Sequence, residues 1–211
     1  QDNLQAMLKE LPSEVKLVAV SKFHPVDNVL EAYRAGQRCF GENRPQELAM
    51  KAASLPDDIE WHFIGHLQTN KIKQVLPYVS LGESIDSRHL LERVNQWGYA
   101  NGKIVSVLLE LHLGAEETKG GFTETEIEAI LDEYVSGCCD GTSAAFSNIR
   151  FCGIMGMASH TDEESVIDAD FARIQAFKSR LDAQFPELID FRELSIGMSG
   201  DWRIALRHGA T

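Results

Sequence analysis

Cysteine is scarce in this chain, and its spacing is uninformative. Cys39, Cys138, Cys139 and Cys152 form no Cys-x-x-Cys pair and no His/Cys ligand cluster along the sequence. That leaves the usual zinc and dithiol signatures without support and fits a reduced, cytoplasmic protein. No apolar run is long enough to span a bilayer, and the opening "QDNLQAMLKELP" reads as polar and helical rather than as a signal. Positive charge is also in short supply. Twenty basic residues against 32 acidic ones give a formal charge of -12, with no Lys/Arg block to form a nucleic-acid surface. A small anionic ligand remains compatible with that balance, because a local pocket can be positive. There is no Gly/Pro/Ser-rich linker, no low-complexity segment, no His-Glu-x-x-His and no carboxylate cluster for a metal.

What is present is a regular alternation. The 211 residues are 44% hydrophobic and 25% charged, enough for one large domain spanning 1–211. Short apolar runs, "KLVAV", "RCFGE", "IEWHFIG", "SLGESID", "KIVSVLLEL", "IRFCGIMGM" and "FRELSIG", read as strands. Helical stretches follow each of them, with "PVDNVLEAYRAG" stopping at Gly36, "TNKIKQVLPYV" at Pro77 and "SRHLLERVNQWG" at Gly98. Thr123 to Glu126 and Thr161 to Glu164 have the spacing of capping boxes. "KIVSVLLEL" lacks clean alternation, as a parallel strand covered on both faces does.

Seven strand–helix units predict a parallel α/β sheet, either doubly wound or closed as a (β/α)8 TIM barrel. No Gly-x-Gly-x-x-Gly follows the first strand, so the dinucleotide fold lacks its fingerprint. The barrel is the preferred expectation. The sequence reaches "GAT" where an eighth strand is expected, so either that strand is missing from this chain or the barrel does not close as expected.

A barrel places its site at the C-terminal ends of the strands. Lys22, just beyond "VAVS", falls there, and so do Glu42, Asn43 and Arg44, His66 and Gln68, Ser84, Asp86 and Ser87, His112, His160, Ser195 and Ser199. Lys22 reads in two ways: a snorkelling side chain, or a partly desolvated amine with a lowered pKa that forms a Schiff base. "SIGMSGD" is the second signal. Gly197 and Gly200 let backbone N–H groups approach a ligand, and Ser199 adds a hydroxyl that also suits a helix cap. A mouth lysine beside such a turn suggests a phosphorylated carbonyl compound. Asn43 either contacts a ring oxygen or ties down its own loop. Met155 and Met157 read as core, and His62 as a satisfied buried histidine.

"LVAVSKFHP", "FGENRPQEL", "WHFIGHLQTNK", "EETKGGF", "GIMGMAS" and "ELSIGMSGD" closely resemble the pyridoxal-phosphate homeostasis protein family. These proteins are single-domain relatives of the alanine racemase N-terminal barrel, and the sequence is most similar to versions from Bacteroidota. The resemblance implies that Lys22 forms the Schiff base with pyridoxal 5'-phosphate. It implies that Ser199 and the amides of Gly197, Met198, Ser199 and Gly200 hold the phosphate. Asn43, His66, Ser84, Met155 and Ser195 match positions at or near the cofactor pocket. It further implies a non-enzymatic carrier of the cofactor with PLP-dependent apoenzymes as recipients; charge, hydropathy and cysteine usage add the expectation of a cytoplasmic chain without nucleic acid or membrane as partner, taken here as a monomer. Relatives carry a further strand of the type "MVRIGTAIFG", which completes the barrel. They also have a bulkier residue and one glycine where this chain has Gly120 and Gly121, so that loop is expected to be looser.

The runner-up function is a weak racemase. Racemisation needs an acid–base group on each face of the carbanion, and relatives that racemise bring a tyrosine from a second domain or subunit. Tyr33, Tyr78, Tyr99 and Tyr134 are expected in helices and loops away from the mouth. No catalytic residue is therefore assigned. A vestigial pocket in an interaction protein is the third class, and only the missing strand speaks for it.

Overall fold

The computed structural model describes residues 2–113, 120–139 and 145–211. The "EETK" part of the family motif lies outside them. Seven parallel strands follow one another in the sheet in chain order. A doubly wound sheet reverses its order at a switch point, so this order selects the barrel-type alternative. Among the described residues there is no eighth strand.

The chain divides into two compact units, Gln1–Gly82 and Glu83–Thr211. The first unit holds α1 (Asp2–Glu10), β1 (Ala19–Val20), α2 (Val26–Arg34), β2 (Cys39–Glu42), α3 (Pro45–Ser54), β3 (Glu60–Phe63), a 3-10 turn and α4 (Ile72–Val75). Val20 pairs with Gly41, and Gly41 pairs with His62. Phe40, Leu48, Trp61, Phe63 and Val75 are buried. β1 is shorter than "KLVAV" for a local reason. The Leu17 carbonyl takes its hydrogen bond from the Gln37 side-chain amide at 2.7 Å, so the ladder starts only at Ala19. α3 begins with Pro45 at its first position, where the missing N–H costs nothing.

The second unit follows β4 (Leu81–Ile85), which crosses the division. It holds α5 (Arg88–Asn101), β5 (Val105–Glu110), α6 (Glu124–Cys139), β6 (Ile149–Met155), α7 (Glu164–Gln184), β7 (Glu193–Ser195) and α8 (Trp202–Arg207). Leu108, Leu109, Ile154, Phe171, Ile174 and Leu181 form its buried centre. The Thr123–Glu126 capping box is present. Both Thr123 N–H and its hydroxyl donate to Glu126 Oε2 at 2.8 Å, and Glu126 N–H donates back to Thr123 Oγ1 at 3.3 Å.

Two local expectations need correction. α5 runs through Gly98 and stops at Asn101, with Gly102 left-handed at its end. The Thr161–Glu164 box does not form, because Thr161 Oγ1 accepts instead from Glu163 N–H at 3.2 Å and α7 begins after it. The residues before Gly120 in that loop lie outside the described ones, but Gly121 itself has a definite role. It sits at φ 119, and a Cβ there would lie 2.8 Å from His112 N, while Phe122 N–H donates to Glu110 O at 2.8 Å. The glycine permits a close backbone pairing.

Candidate functional site

In the first unit the strand ends converge through backbone bonds. Ser21 N–H donates to Gly41 O at 2.9 Å, and Ile64 N–H donates to Glu42 O at 2.9 Å. Ser21 Oγ donates to Glu42 Oε1 at 2.7 Å. Lys22 and Asn43 therefore each follow a residue of one paired couple. Lys22 is exposed, so burial does not supply the desolvation expected of it. The residue instead stands in contact with solvent. The next residue, Phe23, adopts φ 64, a left-handed conformation that costs a bulky side chain about 1–3 kcal/mol unless its surroundings hold it. Glu47 Oε2 accepts Phe23 N–H at 3.0 Å, and the Arg44 guanidinium lies 4.3 Å over the Phe23 ring.

Behind this corner is a buried ion pair that the sequence reading missed. The Lys51 side chain is 1% exposed and that of Glu42 is 0% exposed. Burial alone would raise the Glu47 carboxyl. The Phe23 N–H outweighs that, together with the Lys51 and Arg44 cations, and holds it below the ordinary glutamate value. The i,i+4 spacing of Glu47 and Lys51 on α3 was the available sequence signal. Nothing local, however, announced that Glu42 would lie opposite them.

Asn43 is half-buried. Its Oδ1 takes no hydrogen bond from the described residues, so it does not tie down its loop through that atom. His66 is exposed. His/Cys ligand spacing is absent along the sequence but not in the fold. In space the potential ligand atoms of Cys39, Glu60 and His62 lie within 4.8 Å of one another, because β2 and β3 are adjacent. The Glu60 carboxylate there already pairs with Lys16 Nζ at 3.0 Å.

In the second unit, Met155 and Ser195 are register partners on β6 and β7. Met155 is buried, and Ser195 Oγ donates to Glu83 Oε2 at 2.6 Å. Glu83, an acid buried within β4, also escaped the sequence reading. Ser84 is buried beside it in the strand. Ser87 caps α5 by accepting Leu90 N–H at 3.4 Å. His112 Nδ1 lies 3.3 Å from Gly120 O, and His160 is exposed.

The turn after β7 exposes Gly197, Met198, Ser199 and Gly200. Gly197 is at φ 95, and a Cβ there would meet Ala205 Cβ at 2.7 Å, so only glycine lets the turn fold back onto α8. A Cβ at Gly200 would meet nothing within 4 Å, which leaves open space against that backbone. Ser199 is not the cap of α8. That position belongs to buried Asp201, whose Oδ1 accepts the Met198 N–H.

None of the four tyrosines stands at a strand's C-terminal end. Tyr33 donates to Asp58 at 2.7 Å, Tyr78 follows α4, Tyr99 is exposed on α5, and Tyr134 on α6 donates to the carbonyl of Ile149, the first residue of β6, at 3.4 Å.

Comparison with known proteins identifies the family and the fold. The alanine racemase N-terminal domain family matches residues 1–208. The pyridoxal phosphate homeostasis protein of Vibrio alginolyticus is 38% identical over 206 residues, covering 95% of this chain and 83% of that protein. PipY of Synechococcus elongatus PCC7942, solved with PLP bound, superposes with a TM-score of 0.87 at 34% identity. It covers 100% of this chain and 94% of the PipY chain. Alanine racemase from E. faecalis shares the fold, with a TM-score of 0.70 at 16% identity over 95% of this chain and 51% of its own.

Proposed function

Because the chain belongs to the pyridoxal phosphate homeostasis proteins of the alanine racemase N-terminal domain family, we propose that it binds pyridoxal 5'-phosphate reversibly through Lys22 and serves as a cofactor reservoir rather than an enzyme. The carrying observation is the exposed Lys22 amine at the end of β1, in a chain that superposes on a relative solved with PLP bound. The residues present fit the group: an exposed lysine side chain, a buried Asn43 Oδ1 with no hydrogen bond from the described residues, and a glycine turn with open space at Gly200. When bound, the cofactor supplies an aldehyde that condenses with amines and a ring that accepts electrons.

Lys22 supplies the amine. Asn43, His66, Ser84, Met155 and Ser195 line the cofactor, and the amides of Gly197, Met198, Ser199 and Gly200 with the Ser199 hydroxyl take the phosphate. In this reading residues 1–211 act as one binding domain, monomeric and cytoplasmic, and PLP-dependent apoenzymes are its recipients. Among the described residues no helix is long and apolar enough to cross a membrane. The tyrosine positions support a carrier, since none is placed to move a proton at the strand ends.

The test is direct. Purified chain is mixed with pyridoxal 5'-phosphate and reduced with borohydride, and the pyridoxyl adduct is located by mass spectrometry. A single adduct at Lys22, absent in Lys22→Ala, is expected. Alanine α-proton exchange in deuterium oxide should not exceed that of free cofactor. An equal adduct yield in Lys22→Ala would sink the reading.

A further inference from the structure

The buried cluster behind the β1 corner has no role in the reading above, yet it holds both neighbours of Lys22. The Lys51 ammonium has three N–H groups and three acceptors: Ser21 O at 2.7 Å, Glu42 Oε1 at 2.5 Å and Glu47 Oε2 at 3.4 Å. An ammonium so committed and so buried is a poor nucleophile. The two lysines are thereby sorted, with Lys22 open and Lys51 structural. Lys51 holds the residue before Lys22 directly, through the Ser21 carbonyl. It holds the residue after Lys22 through Glu47, whose Oε2 also accepts Phe23 N–H at 3.0 Å. The Ser21 hydroxyl closes the loop onto Glu42 at 2.7 Å. Phe23 at φ 64 is the conformation that this clamp retains. Two flanking backbone groups fixed by one buried cation leave Lys22 little freedom in its main chain, whereas its side chain remains exposed.

We propose that Lys51 and Glu47 are positioning residues, which fix the Ser21 and Phe23 backbone so that the Lys22 amine is presented in one direction to a phosphorylated aldehyde. The proposal rests on the cofactor reading for its ligand, but the clamp itself is testable without cofactor. Holding a reacting group in place saves entropy that a free corner would lose at each encounter.

Lys51→Met strands the buried Glu42 carboxylate, so the primary variant is Glu47→Ala at the half-buried end of the cluster, with Glu47→Gln as its conservative partner. A doubly neutral Lys51→Met/Glu42→Gln chain is the second probe. The first readout is amide hydrogen exchange at Phe23 in the cofactor-free protein. Protection is expected in the wild type, with a loss of about tenfold or more in Glu47→Ala and recovery in Glu47→Gln. The second is the rate at which pyridoxal 5'-phosphate gives the borohydride-stable adduct at Lys22, measured well below the melting temperature. It should fall about tenfold in Glu47→Ala and in the double variant, and recover in Glu47→Gln.

An unprotected Phe23 amide in the wild type overturns the clamp. Protection lost in Glu47→Ala with an unchanged adduct rate overturns the positioning role and leaves a purely structural ion pair. If the wild-type chain forms no adduct while Phe23 stays protected, the cofactor reading fails and takes the positioning role with it, but the clamp stands.

Discussion

Replacing Lys51 by methionine removes the one cation that, among the described residues, contacts a carboxylate that is 0% exposed. Methionine fills similar volume, so the cost is electrostatic rather than a cavity. Removing one partner of a buried pair costs about 3–5 kcal/mol, because the other charge is left uncompensated. The lost bond to the Ser21 carbonyl, 2.7 Å long in the native chain, is part of that cost. For a chain of 211 residues, each kcal/mol moves Tm by about 2–4 °C, so a drop of roughly 8–16 °C is expected for about 4 kcal/mol. Urea unfolding of Lys51→Met, Glu42→Gln and the double variant gives the coupling. The double variant should recover about 2 kcal/mol over Lys51→Met, since the stranded charge has gone. A cost below about 1 kcal/mol for Lys51→Met, or a double variant less stable than either single one, would refute the claim that burial makes this pair costly to break.

Two further outcomes can be checked on the folded chain. Thr123→Ala should cost about 1 kcal/mol of stability through the lost cap. Glu126 is held below its ordinary value by the Thr123 N–H and hydroxyl, so its contribution is present above the unfolded pKa and disappears as pH falls through the folded one. The same variant should raise the Glu126 titration midpoint seen by NMR. Gly197→Ala places a Cβ 2.7 Å from Ala205 Cβ at φ 95 and should destabilise by about 1–3 kcal/mol, and should shrink the chain's preference for pyridoxal 5'-phosphate over pyridoxal. A stable Gly197→Ala chain with unchanged preference would count against the turn as the phosphate site.

Much of this protein could be read from local sequence. Strand–helix alternation is a short-range signal, because side-chain period and turn residues are set within a few positions. All seven strands could be found that way, and the Thr123–Glu126 cap could be located from one spacing. Lys22 and the "SIGMSGD" turn were also legible, since an isolated lysine after an apolar run and glycines flanking a serine stand out without partners. Whether Ser199 or Asp201 takes the cap position of α8 was not legible, because both side chains suit it and only the backbone path decides for Asp201.

Other features depended on residues distant in sequence. Chain-order strand pairing, not the alternation itself, selects the barrel over the doubly wound sheet. Glu42 and Lys51 look like ordinary surface charges until β2 and α3 bury them together. Cys39, Glu60 and His62 become neighbours only through the β2–β3 register. The sequence by itself determined which elements form and which residues stand at their ends, because those depend on local propensity. The tertiary structure alone decided which charges meet out of water, and so what holds the backbone on either side of Lys22.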